Sequence, residues 1–167
     1  MRLFSLAILV LCLSASFASA EKVHQSVRGD KLFTGDGGNA VDKGVMETKG
    51  IADASETVAR IKGAMNQWGF VNAWFGQPAP EGKVTVRFDV YVDSDKTAKY
   101  LVYVRTAKEQ VNVGELKIPA DAKEKSLVTV DLAVDVKESW SGLVIKKADS
   151  SKLPSPWIEK VSVILAD

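Results

Sequence analysis

The sequence predicts an all-β protein, an antiparallel β-sandwich of the jelly-roll type. Apolar residues recur at every second position through the downstream half of the chain. Clusters of Gly, Pro, Asp and Ser separate these segments. Nowhere beyond the first residues does a long apolar stripe of helical period appear. Many strands of moderate length divided by turn residues are the pattern of sandwiches and barrels.

The chain opens MRLFSLAILVLCLSASFASA. Arg2 supplies a short positive region, Leu3 to Leu13 an apolar run, and Ala18-Ser19-Ala20 the small-x-small pattern of a cleavage site. Residues 1–20 are therefore expected to be a cleaved secretory signal peptide. The run is too short to span a bilayer, which takes about 20 apolar residues. Cleavage leaves 147 of the 167 residues, enough for one well-filled core. It also removes Cys12, the only cysteine, so no disulfide and no thiolate chemistry is expected. A secreted or periplasmic location follows, with no membrane span in the mature chain. Arg2 leaves with the leader, and the remaining 21 basic residues balance the 21 acidic ones. That balance excludes the basic excess of a nucleic-acid binder.

Residues 21–30 are polar and read as a flexible N-terminus, with residues 31–167 forming the single sandwich domain. Phe33 to Asn39 is a Gly-rich loop. Val41 to Met46 and Thr57 to Lys62 have strand composition, whereas Ile51 to Val58 could form a turn or two of helix. Trp68 to Phe75 is rich in aromatic residues and leads into a loop over Gly76 to Gly82. From Lys83 to Val92 the alternation is clean. Val84, Val86, Phe88, Val90 and Val92 take one face; Thr85, Arg87, Asp89 and Tyr91 take the other. After the polar turn Asp93 to Ala98, Tyr100, Val102 and Val104 alternate with Leu101, Tyr103 and Arg105, so the two segments read as a hairpin. Val111 to Ile118 is a weaker strand, interrupted by Gly114. Leu127 to Val136 turns Val128, Val130, Leu132, Val134 and Val136 inward, and Thr129, Asp131, Ala133 and Asp135 outward. Leu143 to Lys147 is short. Ile158 to Leu165 closes the domain, with Pro154 and Pro156 stiffening its approach and Trp157 anchoring its entrance.

Two of these stretches carry a resemblance. Ser155-Pro-Trp-Ile-Glu-Lys-Val-Ser-Val163 resembles the final strand of galactose-binding-domain-like jelly rolls, and Gly82-Lys-Val-Thr-Val-Arg-Phe-Asp-Val-Tyr-Val92 is similar to their central strand. The layout extends over residues 31–165. The resemblance implies a jelly-roll sandwich of the carbohydrate-binding-module kind, and a structural calcium near the first and last strands. Glu159 stands where an aspartate is common in that family.

Catalytic signatures are missing. His24 is the only histidine and sits four residues into the mature chain, a poor place for a triad or a zinc site, which need a firmly held imidazole. Neither a G-x-S-x-G motif nor a phosphate-binding loop is present, and the glycines at 35–38 lack the strand-then-helix context of one. No cofactor is required. Calcium is a candidate ion at Asp36, Asn39 and Asp42, oxygen donors around a Gly-rich turn, with Glu159 added by the resemblance. An ordinary Asp-Gly turn is the favoured explanation of the first three.

Aromatic residues are the stronger lead, because sugar rings stack their CH faces on Trp and Tyr while charged groups hold the hydroxyls. On a hairpin, Arg87, Asp89 and Tyr91 would share one surface with Tyr103 and Arg105. Trp140, placed in a loop, and Trp74 complete the candidate ligand residues. The alternative is that this face is covered and forms a second core. The sequence thus predicts an exported, non-catalytic module whose partner is a glycan or polysaccharide. A structural or protein-interaction module of an envelope or matrix is the alternative, and a small carbohydrate-active enzyme the third reading.

Overall fold

The computed structural model describes residues 21–34, 46–49, 58–61, 70–92, 99–147 and 157–166. Residues 1–20, the Gly-rich loop beyond Thr34, the helical alternative at 51–58 apart from its last residue, and both prolines before the closing strand lie outside them. Eleven strands and one short 3-10 turn make up the described structure: β1 (Lys22–Arg28), β2 (Phe33–Thr34), β3 (Met46–Lys49), β4 (Val58–Ile61), β5 (Phe70–Ala79), β6 (Gly82–Tyr91), β7 (Lys99–Thr106), β8 (Gln110–Lys117), β9 (Leu127–Val136), β10 (Trp140–Lys147) and β11 (Trp157–Leu165). All pairings are antiparallel. One sheet, sheet A, runs β3-β4-β11-β6-β9, with β1 also on β11; the other, sheet B, runs β2-β5-β10-β7-β8.

The alternation read from the sequence fills the space between the sheets. Val84, Val86, Phe88 and Val90 from β6 and Val161 and Val163 from β11 face Val102 and Val104 from β7 and Leu143 and Ile145 from β10, all buried in one cluster. Burying each such side chain stabilises by about 1.5–3 kcal/mol. Gly114 lets the sheets approach where β8 passes β9. It adopts φ +138, and a Cβ there would lie 2.9 Å from Leu132 Cδ1. Only glycine takes that conformation without strain.

Several expectations are corrected. β6 and β7 do not form a hairpin. β6 pairs with β11 and β9, whereas β7 pairs with β10 and β8. Both strands carry their apolar residues at even positions, and each covers the same core from its own side. The chain crosses between sheets, which alternation alone does not distinguish from a turn within one sheet. The loop expected at 76–82 is mostly strand, since β5 continues to Ala79. Residues 22–28, expected to be flexible, are a strand. β1 pairs with β11 from Lys22 to Arg28 with a bulge at His24. It is also tied to the end of β5: His24 Nε2 donates to the Pro78 carbonyl at 3.2 Å, Gln25 Nε2 donates to the Gln77 carbonyl, and the Gln77 N–H donates to Gln25 Oε1 at 3.2 Å. Its backbone covers the free edge of β11, which would otherwise stay unpaired.

Candidate functional site

Strand pairing sets which side chains share each outer face. On sheet B, Gly142 of β10 lies between Trp74 of β5 and Arg105 of β7. Val144 lies between Asn72 and Tyr103 in the next row, and Lys146 follows beyond it. Trp74 is 45% exposed, the most exposed aromatic among the described residues. Gly142 allows this row to form. A Cβ there would stand 3.0 Å from Trp74 Cε3 and 3.1 Å from the Ala73 carbonyl, so the indole lies across the space a side chain would fill. The Arg105 guanidinium sits over the Trp74 ring at 5.5 Å from its centroid, and Lys146 Nζ over the Tyr103 ring at 4.6 Å. Such cation–π contacts contribute about 0.5–1 kcal/mol at exposed sites.

Beside Trp74 an open cleft of ≈ 380 Å³ runs along the β7–β8 turn, lined by Trp74, Arg105, Thr106, Lys108, Glu109, Gln110 and Ser141, with Ala107. The turn is well held. Thr106 Oγ1 accepts from the backbone N–H groups of Lys108 and Glu109, and its backbone N–H donates to the Glu109 carbonyl at 3.0 Å. Lys108 is paired with Glu138 from the β9–β10 turn, and that carboxylate pushes the Lys108 ammonium above its ordinary range. One wall is thus an aromatic face and the rim is polar, the mixture that orients a sugar ring.

The other candidates go elsewhere. Arg87, Asp89 and Tyr91 lie on the outer face of sheet A, on the opposite side of the sandwich. Arg87 makes a two-fold bridge to Asp131, 2.8 and 2.7 Å, and reaches Glu21, just before β1. Hydrogen bonding to Arg87 holds the Asp131 and Glu21 carboxyls below the ordinary range, and Arg87 is correspondingly raised. Asp89 accepts from Thr129 at 2.9 Å and pairs with Lys160 at 3.2 Å. Tyr91 is buried with Trp157, Val58 and Leu127 in a small cluster, so at that end the face is a second core. Trp140 is corrected most sharply. It is 1% exposed and packs edge-on against Phe75, centroids 5.6 Å apart. A register shift between Trp140 and Gly142 turns it into the sandwich, and an indole has a large apolar area to gain by burial. Of the predicted ligand residues, only Trp74, Tyr103 and Arg105 come together.

Glu159 is buried at the bulge of β11. No group of three or more acidic, His or Cys side chains fit to hold a metal gathers among the described residues, and Asp36, Asn39 and Asp42 lie outside them.

No family model matches this chain, and no curated protein does. Solved structures do. The C-terminal CBM6 module of the laminarinase LamC from Zobellia galactanivorans superposes with a TM-score of 0.59 at 10% identity, over 84% of this chain and 98% of that one. The carbohydrate-binding module CBM6cm-2 of lichenase 5A from Cellvibrio mixtus, in complex with cellotriose, gives 0.57 at 12% identity, over 87% and 100%. The fold is the jelly roll of carbohydrate-binding modules. An exo-β-1,3-galactanase from Phanerochaete chrysosporium, solved with galactose, gives 0.55 at 14% identity over 87% of this chain, but this chain spans only 29% of that enzyme. The resemblance drawn from the closing and central strands therefore holds at the level of fold.

Lys146, Gly142, Asn72 and the turn at 106–110 were not candidates in the sequence. Gly142, between Ser141 and a strand, carried a faint signal: a glycine within a strand marks a close approach.

Proposed function

We propose that this chain is an exported, non-catalytic glycan-binding module whose site is the Trp74 cleft on the outer face of sheet B. The observation that carries this is the exposed indole, held flat by Gly142 and bordered by Arg105 and the polar β7–β8 turn. Similarity in fold to carbohydrate-binding modules supports it. The signal-peptide pattern of the sequence at residues 1–20 supports export.

A glycan array probed with residues 21–167 tests the reading. The expected outcome is binding that disappears in Trp74→Ala, weakens in Tyr103→Ala, and is unaltered by Lys83→Ala on sheet A. Binding that survives Trp74→Ala would place the site elsewhere; no glycan bound by folded protein would overturn the reading.

A further inference from the structure

A strand at the end of a sheet offers unpaired N–H and C=O groups to another chain, and proteins blunt such edges with shortness, bulges, lysine or proline. Among the described residues, sheet B ends on β2 and β8, and sheet A on β3 and β9 with β1 beside β4 on β11. β2 has two residues, and β3 has four with Glu47 and Lys49 among them. β1 carries a bulge at His24 together with Lys22 and Arg28. β8 shifts register against β7 beside Gly114 and ends in the pair Glu115 and Lys117. β9 is different. Its ten residues run against β6 from Leu127 to Val136 without a shift, and none of them is proline, lysine or arginine. Its charges, Asp131 and Asp135, lie on the outer face. On the inner face Val128, Val130 and Leu132, with Val111 and Val113 of β8, are only partly buried, so the seam between the sheets is apolar and half open along this edge.

The pattern of β9 is complementary to itself. Inward residues stay with inward ones across an antiparallel edge only when the two-fold axis passes through a residue, because a one-residue slip exchanges the faces. The midpoint of β9 lies between Asp131 and Leu132, so these two centres give the longest overlap. The first sets Asp131 against Asp131, a like-charge pair directly opposite. The second joins residues 128–136 and opposes no like charges. Asp131 then meets Ala133 and Thr129 meets Asp135 on the outer face, while Leu132 meets Leu132, Val130 meets Val134 and Val128 meets Val136 on the inner one. We propose that β9 is the interface of a symmetric dimer, pairing antiparallel with β9 of a second copy about Leu132, so that sheet A runs through both copies. The contact is isologous and closes on itself. Paired residues share a face, so the axis stands perpendicular to sheet A and both Trp74 clefts open on the same side. On the glycan-binding reading the dimer is therefore bivalent; the pairing itself does not depend on that reading.

Sedimentation equilibrium of residues 21–167 in the absence of any glycan tests it. The expected result is a reversible dimer at concentrations below about 1 mM. Ala133 is exposed on the outer face, so substitutions there should keep the melting temperature close to wild type. Ala133→Asp sets a carboxylate against Asp131 of the second copy at both symmetric positions and should weaken the dimer about tenfold. Ala133→Lys sets an ammonium there and should leave the dimer at least as tight as wild type. Glu115→Gln on the β8 edge and Trp74→Ala should leave it unchanged. A chain that stays monomeric throughout this range would overturn the proposal. A dimer unaffected by either Ala133 substitution, or one lost in Glu115→Gln, would overturn the assignment to β9; weakening of equal size in Ala133→Asp and Ala133→Lys would overturn the register. A monomer that binds glycan would leave the Trp74 site standing, and a dimer that binds none would leave the pairing standing without the bivalence.

Discussion

The two outer faces of this sandwich are built on the same core and differ in how their polar groups are satisfied. On sheet A, Arg87 is clasped by Asp131 and Glu21, while Asp89 is met by Thr129 and Lys160. Both of these charges have a partner in an adjacent strand, and the aromatic Tyr91 is packed away. On sheet B, Trp74 is exposed, the cations stand over aromatic rings, and the Arg105 Nε and the Asn72 amide lack partners. A face whose hydrogen bonds are already made has little to offer a ligand. A face with unmet groups beside an exposed aromatic ring has much to gain from one. Residue composition does not separate them, because both carry Arg and Tyr on alternating strands.

The contrast can be broken or sharpened by substitution. Trp140→Ala removes an indole from the core beneath both faces and should destabilise by about 3–5 kcal/mol, read from chemical denaturation. A small loss would mean that Trp140 is not the packed residue described here. Trp74→Ala, although it removes the same side chain, should leave stability nearly unchanged and cost at least about 2 kcal/mol of glycan binding, roughly 30-fold, as for a central contact residue. Gly142→Val should do both in smaller measure. The new side chain must displace Trp74, with overpacking of about 1–3 kcal/mol and weakened binding; a variant that binds normally would show that the indole pose is not required. Arg87→Met on sheet A should cost about 1 kcal/mol or less and leave binding unaltered.

The smallest effect is on acid stability. The Asp131 and Glu21 carboxyls titrate lower in the folded chain than in the unfolded one. Their contribution is therefore fully present above the ordinary carboxylate range, about pH 4, and is lost as pH falls through the lowered values. Arg87→Met should flatten this slope in melts taken across pH 2–5, whereas Arg105→Gln should leave it as it is. An unchanged slope in Arg87→Met would mean that the bridge does not form in solution.

Much of the fold was legible in the residues themselves. The alternation in β6, β7 and β9 named the buried face of each strand correctly, because a period of two puts consecutive side chains on opposite sides whatever the partner strand is. Trp157 and the valines of β11 likewise read as the packed closing strand. The candidate site was legible only in pieces. Trp74, Tyr103 and Arg105 were on the page, but grouped with Arg87, Asp89 and Tyr91 from the far side of the molecule. Trp140 was taken for a loop residue, because the bulge that turns it inward leaves no mark in the local pattern.

The sequence by itself determined the class of fold and most residues of the core, since these depend on side-chain identity and local period. Only the tertiary structure decided which sheet each strand joins, and hence that Arg87 finds two carboxylates while Arg105 finds a tryptophan. Strand pairing is a long-range choice made by the whole core at once, and it alone determines which exposed groups become neighbours.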